Sequence, residues 1–465
     1  MTLPTTAILL TALCACGFAA AGDVLLRRRS AGALGWNEAF LVGAGSSAAV
    51  LFPLSLIAGR RALGVLMILL GLAIAASLVT RIRRPPLHTT KPARVPHVWA
   101  DLLLFVAIVL AVAAFATLSF RYTFFWDGFQ IYASKAKRLF YEGGLTRDWF
   151  GEDDYDRRLL QYPSLVAMCE AMLARLRGRF DFDHFKPLFP LFYVSMLLST
   201  FAAIRARGTR LAALCGTLLV ALLPELATTQ AAGGSSDLPL AAFVAGTVAA
   251  GLRRRSRRAL PFLIGGLTVV KNEGTILAII ASGAVLAYWS AGGPRRLLRR
   301  LKARGMAVAI VAAFLGTRFA FLRWLDVQDH TYGSLSARHL ARAAERFETV
   351  LRVCGRLALD PEVWGLLWPV AFVAGVVLAV RGTRTERALA GALWTSVAAY
   401  TAIFLFTNWD VELQAVQAYT RLLSQLAPAA IVAIALSYGR VRHAIDLRFP
   451  PIPESAALPR GHVGR

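Results

Sequence analysis

Acidic side chains are scarce in this chain: 27 Asp and Glu stand against 52 Lys and Arg in 465 residues. Histidine and cysteine are sparse too, with seven and five copies. The five cysteines, Cys14, Cys16, Cys169, Cys215 and Cys354, show no metal-ligand spacing, and no histidine pair falls at helical ligand spacing, so no zinc-type centre follows. Cys14 and Cys16 sit inside the first apolar run, where a thiol packs as a small hydrophobe. Alternating strands are missing as well, which excludes an outer-membrane barrel. The connections between apolar runs are too short for a separate soluble domain.

What is present is hydrophobic length. The chain is 57% hydrophobic, with a mean hydropathy of +0.56, above that of a soluble globular domain. Stretches near the ~20 apolar residues that a bilayer requires recur throughout. Only helices satisfy the backbone of such runs in lipid. The expected fold class is therefore all-α: a polytopic membrane helix bundle. The net charge of +25 would suggest nucleic acid in a soluble protein. Here the basic residues cluster between apolar spans, as membrane topology dictates, and no nucleic-acid partner is expected.

Arg/Lys clusters at 27–29, 81–94, 205–210, 253–258, 295–304, 381–387 and 440–448 mark a cytoplasmic side. The charge pattern predicts thirteen spans: 4–25, 38–58, 62–80, 99–119, 187–204, 211–228, 238–252, 259–270, 274–291, 305–325, 364–380, 388–407 and 421–438. The N-terminus is then outside and the C-terminus inside. The first run carries no preceding positive charge and is followed by Arg27-Arg28-Arg29, so it reads as a retained helix rather than a cleaved signal. Arg60-Arg61 fall on the outer side and break the charge rule. The organisation expected is three accessory helices with a basic loop (1–98), a membrane core (99–440) with outer loops at 120–186 and 326–363, and a cytoplasmic tail (441–465). Within the second loop, Leu340, Ala344, Phe347, Leu351, Cys354 and Ala358 recur at helical spacing, which predicts a headgroup-layer helix.

Both flanks of 259–291 are basic, so the chain must cross an even number of times between them and turn at Lys271-Asn272-Glu273. The first limb holds only a dozen residues, about 18 Å at ~1.5 Å each, against a ~30 Å hydrocarbon layer. The turn should be recessed, where a charge is expensive unless it is used.

Acids on the outer side are the candidate chemistry. Asp127 follows the fourth span in Phe124-Phe125-Trp126-Asp127-Gly128, either as a functional carboxylate or as the N-cap of a helix over 128–140. Asp153 and Asp154 lie in an acidic stretch, 152–156, that reads equally as a solvated turn; these oxygens leave room for a Mg²⁺ or Mn²⁺ site without requiring one. Asp237 starts a helix in Gly233-Gly234-Ser235-Ser236-Asp237-Leu238-Pro239, again as N-cap or site. Lys271 and Glu273 occupy the recessed turn, as functional groups or as an ion pair. Arg421 opens the final helix, as a site residue or snorkelling to headgroups.

At these residues the sequence resembles the GT-C superfamily of polytopic glycosyltransferases, nearest its protein-mannosyltransferase and aminoarabinose-transferase-like branch. Trp126-Asp127, followed by Ala133, Lys135, Ala136 and Glu142-Gly143-Gly144, resembles the opening of the family's large first outer loop. Tyr162-Pro163 is similar to the proline-bearing entry to that loop's next helix. Gly233–Pro239 resembles its Asp-x-Pro helix start, Lys271-Asn272-Glu273-Gly274 its lysine turn, and Arg421 through Pro428 its final arginine-led helix. The likeness covers about 99–440. Many members carry two adjacent acids where this chain has Asp127-Gly128, so a second acid would come from Asp237, Asp153 or Asp154.

The resemblance implies transfer of a sugar from a polyprenyl-phosphate carrier to an envelope acceptor (lipid, glycan or protein), on the extracytoplasmic side of a bacterial inner membrane. Asp127 would be the general base with Asp237 as a second catalytic acid, Lys271 and Arg421 would hold the carrier phosphate, and Asp153, Asp154 and Glu273 would be alternative acids. No cofactor beyond an optional divalent cation is implied. The competing expectation is a transporter or flippase of a lipid-linked or small anionic substrate, for which the recessed 259–274 turn is the one suggestive feature.

Overall fold

A computed structural model describes residues 5–26, 32–83, 98–125, 127–146, 161–291, 293–325 and 337–448. Among them there is no strand, and seventeen α-helices of eight or more residues follow the chain: α1 (Thr5–Leu26), α2 (Gly32–Ala58), α3 (Ala62–Arg83), α4 (Val98–Arg121), α5 (Ser134–Glu142), α6 (Leu165–Arg177), α7 (Leu188–Arg205), α8 (Arg210–Ala221), α9 (Asp237–Leu252), α10 (Leu260–Leu267), α11 (Asn272–Ser290), α12 (Pro294–Ala303), α13 (Gly305–Leu325), α14 (Ala337–Ala358), α15 (Leu367–Arg381), α16 (Arg384–Ile403) and α17 (Val411–Arg448). Every expected span except 211–228 coincides with one of them. Seven helical stretches are long and apolar enough to cross a bilayer: Thr5–Leu26, Gly35–Thr80, Val98–Arg121, Phe182–Arg205, Asn272–Ser290, Gly305–Leu325 and Val411–Arg442. The chain is a multi-pass membrane protein. Its perimeter agrees: on α4, Leu103 is 71% and Leu110 63% exposed, an outward apolar face that lipid covers and water would not.

Gly35–Thr80 is one stretch by composition but two limbs in space. Gly43 on α2 meets the Phe18 backbone, and Leu70 on α3 meets Gly17. In one straight helix those two contact points would be about 40 Å apart, so the chain reverses between them, at Gly59, whose φ of +52° suits glycine. This reversal seats on the first large loop. The Leu63 amide donates to the Gly143 carbonyl at 2.7 Å, and Arg60 pairs with Glu142 at 3.2 Å. Arg60, one of the two arginines that broke the charge rule, therefore faces an acid on that loop.

Two boundaries differ from expectation. The 211–228 span breaks after α8: Arg210–Ala221 and Glu225–Gly233 are bent 62° apart at Leu222-Leu223-Pro224, because proline removes an amide and clashes with the preceding turn. The final helix begins at Val411, ten residues before Arg421, with Asp410 accepting from the Leu413 amide at 2.9 Å. Its first turns are polar overall, but Val411, Ala415 and Tyr419 are buried on one face, an amphipathic pattern that hydropathy averaging conceals. Arg421 therefore sits nearly three turns inside α17 rather than opening it.

α14 has two apolar faces. Val350, Val353 and Cys354 are buried against the rest of the bundle, whereas Leu340, Phe347 and Leu351 are exposed, as suits a helix lying in a headgroup layer.

Candidate functional site

The site is assembled by close backbone approach. After α4, Phe125 donates its amide to the Ala232 carbonyl at 3.3 Å, and Ser119 Oγ donates to the Ala231 carbonyl at 2.9 Å. Gly128 lies so near residues 233–234 that a Cβ there would stand 2.3 Å from the Gly233 carbonyl oxygen. A side chain at position 128, an acid included, has no room there. The same contact carries Asp127 beside the start of α9.

Neither Asp127 nor Asp237 caps a helix with its side chain. Asp127 is itself in helical conformation and makes no side-chain cap bond before the π-turn Gly128–Ala133. Ser236 is the N-cap residue of α9, and Asp237 is its first helical residue. Both carboxylates turn instead to Arg421. Its Nη2 donates to Asp127 Oδ2, its Nε donates to Asp237 Oδ2 at 3.1 Å, and its Nη2 reaches the same oxygen at 2.7 Å.

Lys271 closes the arrangement from the recessed turn. Its Nζ donates to Asp237 Oδ1 at 2.7 Å and pairs with Glu273 Oε1 at 3.1 Å. The turn is as short as the sequence implied: α10 ends at Leu267, Lys271 is extended, and α11 starts at Asn272. Gly274 is required there, since a Cβ would stand 2.0 Å from the Leu267 carbonyl oxygen. Asp127, Asp237, Lys271, Glu273 and Arg421 thus form one ion-pair chain. Asp153 and Asp154 lie outside the described residues.

Burial separates the roles these groups can take. Asp237 is fully buried and accepts five hydrogen bonds, from Lys271, Gln425 Nε2 (2.6 Å), Ser235 Oγ (2.9 Å) and twice from Arg421. It can orient cations but offers no free lone pair to a substrate. Asp127 and Arg421 retain 29% and 28% side-chain exposure, so they are the accessible pair. Lys271 is sealed at 8%. Sequence reasoning missed Gln425, which lies one turn beyond Arg421 on the same face, and Tyr400, whose hydroxyl donates to Gln425 Oε1 at 2.6 Å. It also missed Tyr132, hydrogen-bonded to Ser236. The i,i+4 spacing of Arg421 and Gln425 was the one available signal.

A divalent cation does not fit these donors. Among the described residues no three His, Cys, Asp or Glu side chains converge on a metal-sized cage; Arg421 and Lys271 already stand between the carboxylates.

Beside this chain, Lys135 on α5 is buried and donates to the Tyr162 carbonyl. Burial, reinforced by the nearby Arg318 charge, lowers its pKa to about 7.

No protein-family model matches the chain, and no curated protein matches it by sequence. Three solved structures overlap its fold. ArnT from Cupriavidus metallidurans in the apo state is 16% identical, with a TM-score of 0.47 over 73% of this chain and 59% of that one. ArnT bound to undecaprenyl phosphate is 15% identical, with a TM-score of 0.48 over 76% and 64%. The archaeal oligosaccharyltransferase AglB from Archaeoglobus fulgidus, in complex with an inhibitory peptide and a dolichol-phosphate, is 13% identical, with a TM-score of 0.44 over 75% and 52%. The chain spans less than two thirds of the length of each.

Proposed function

We propose that this protein is a membrane glycosyltransferase that moves a sugar from a polyprenyl-phosphate carrier to an acceptor on the extracytoplasmic side of a bacterial inner membrane. The observation that carries the reading is the ion-pair chain itself: Asp127, Asp237, Lys271 and Arg421 lie far apart in sequence yet meet at one end of a lipid-embedded bundle.

In the proposed step an acceptor hydroxyl attacks the anomeric carbon, the new C–O bond forms, and the bond to the carrier phosphate breaks. Asp127, the accessible carboxylate, takes the hydroxyl proton as general base. The leaving group is a phosphate already weakly basic, so it needs hydrogen-bond donors rather than a strong acid. Arg421 is placed to supply one: Nε and Nη2 are held by the two aspartates, while Nη1 has no recorded partner among the described residues. Asp237 and Lys271 act behind it: Nε and Nη2 converge on Asp237 Oδ2 while Lys271 holds Oδ1, which fixes the guanidinium plane. The carrier's chain would lie along the helices in lipid, which accounts for building the site inside a membrane.

Asp127→Asn should abolish transfer from a labelled polyprenyl-phosphate sugar, by at least about 10²-fold, while the purified protein stays monodisperse in detergent. Retained transfer removes Asp127 as base. Uptake of labelled substrate by proteoliposomes, without transfer, would replace the reading with a transporter.

A further inference from the structure

A second cationic centre borders the site, and the ion-pair chain leaves it unused. Arg318 lies on α13, inside a stretch apolar enough to cross the bilayer, and is only 5% exposed. Its Nη2 donates to the Gln161 carbonyl and to Asn272 Oδ1, both at 2.6 Å. Among the described residues its Nε and Nη1 have no hydrogen-bond partner and no carboxylate pairs with it. The Phe321 ring lies 5.8 Å from the guanidinium carbon.

The neighbours place this group functionally. Asn272 stands between Lys271 and Glu273 in the recessed turn, so Arg318 is tied to the turn whose Lys271 holds Asp237. Lys135 donates to the carbonyl of Tyr162, the residue after Gln161. Two buried basic side chains therefore converge on the 161–162 backbone. The ion-pair chain next to them holds three carboxylates against two cations. It can lend hydrogen bonds to an arriving phosphate but has no net positive charge to offer. Arg318 has the reverse character. A buried guanidinium with N–H groups unpaired is strongly destabilising in low dielectric, and an intramembrane charge kept at such expense marks a ligand path. A neutral acceptor would satisfy the N–H groups but not the charge, whereas a phosphoryl oxyanion satisfies both.

We propose that Arg318 is the centre of a second anion subsite, adjoining the Asp127–Arg421 pair, that takes a phosphoryl group of one substrate through its Nε and Nη1 N–H groups. That the phosphate belongs to a transfer substrate rests on the glycosyltransferase reading; that the subsite binds phosphate does not. Two sources share this chemistry: the carrier's own phosphate and a phosphate on the acceptor.

The test uses the full-length protein in nanodiscs, with polyprenyl monophosphate, the uncharged polyprenol and inorganic phosphate as probes. Wild type should bind polyprenyl monophosphate at least tenfold more tightly than polyprenol, and Arg318→Gln should remove that preference. If Arg318→Gln weakens inorganic phosphate at least tenfold but leaves polyprenyl monophosphate unchanged, the subsite stands and serves the acceptor. Arg318→Lys, which keeps the charge but not the fork of donors, should fold even if the glutamine variant does not, and should lose about tenfold. Unchanged affinity for both phosphates in a folded Arg318 variant overturns the proposal. Arg318-dependent phosphate binding in a protein that neither binds nor uses polyprenyl-phosphate sugar keeps the subsite and ends the transferase reading. Active transfer with phosphate affinity indifferent to Arg318 does the opposite.

Discussion

The two ends of the bundle handle buried charge differently. At the end rich in arginine, acids are matched by neighbouring cations that fasten helices. Glu386 accepts from Arg440 at 3.0 and 2.8 Å while completing the capping box of α16 with Thr383. Asp101 at the start of α4 meets Arg210 at the start of α8 at 3.1 Å. At the site end the charges are shared: Arg421 serves two acids, Asp237 serves two cations, and Glu273 keeps one oxygen without a partner. Local pairing fixes position. Shared, unequal pairing leaves groups able to respond to a ligand, and that difference separates scaffold from site although both are built from the same residue types.

Breaking the shared cluster at its hub should do the most damage. Asp237→Asn leaves Lys271 and Arg421 short of a buried counter-charge, and should cost about 3–5 kcal/mol of stability together with transfer activity, read as melting temperature in detergent and turnover. A stable, active variant would show that the hub is dispensable. Next comes the contact that seats Asp127. Gly128→Ala forces residues 128 and 233 apart, and a displacement near 1 Å should lower turnover by about 10²-fold with little change in carrier affinity; full turnover would mean that the close approach does not position the base.

The opposite end should behave as scaffold. Glu386→Gln should lower stability by about 1–3 kcal/mol and leave turnover per folded molecule unchanged, so a selective loss of turnover would erase the distinction between the ends. The smallest effect expected is a gain. Glu170 on α6, outside the spanning helices, is fully buried with neither carboxyl oxygen partnered among the described residues, and that burial raises its pKa well above the ordinary 4.5. The folded state thus holds a proton that the unfolded chain releases. Stability from this group is fully present below about pH 4.5 and declines as pH rises. Glu170→Gln should therefore raise the melting temperature at pH 7 by a few degrees, about 1 kcal/mol, and the gain should vanish towards pH 4.5. A pH-independent change would place the effect elsewhere.

The helices were legible in the sequence because lipid demands long apolar runs, and the turn at Lys271 because charge on both flanks fixes the number of crossings. Asp127, Asp237, Lys271 and Arg421 stood out because acids are scarce and charge beside apolar runs is expensive. What hydropathy concealed was polar or amphipathic: residues 411–420, which extend α17, and Gln425, which carries no charge. Pro224 marked the break after α8 but was absorbed into an apolar run. Arg318 was equally visible as a charge within the 305–325 span, yet only its unpaired N–H groups, which no sequence shows, give it a role. The closeness of Gly128 to Gly233 is likewise a tertiary fact.

The account depends most on Asp127 and Arg421 acting as one unit, and a double-mutant cycle on transfer tests this directly. Asp127→Asn and Arg421→Gln should each depress turnover by at least about 10²-fold, and the double variant should be no worse than the poorer single one. Losses that multiply, leaving the double variant at the product of the two, would mean that the residues act independently and that the shared site does not exist.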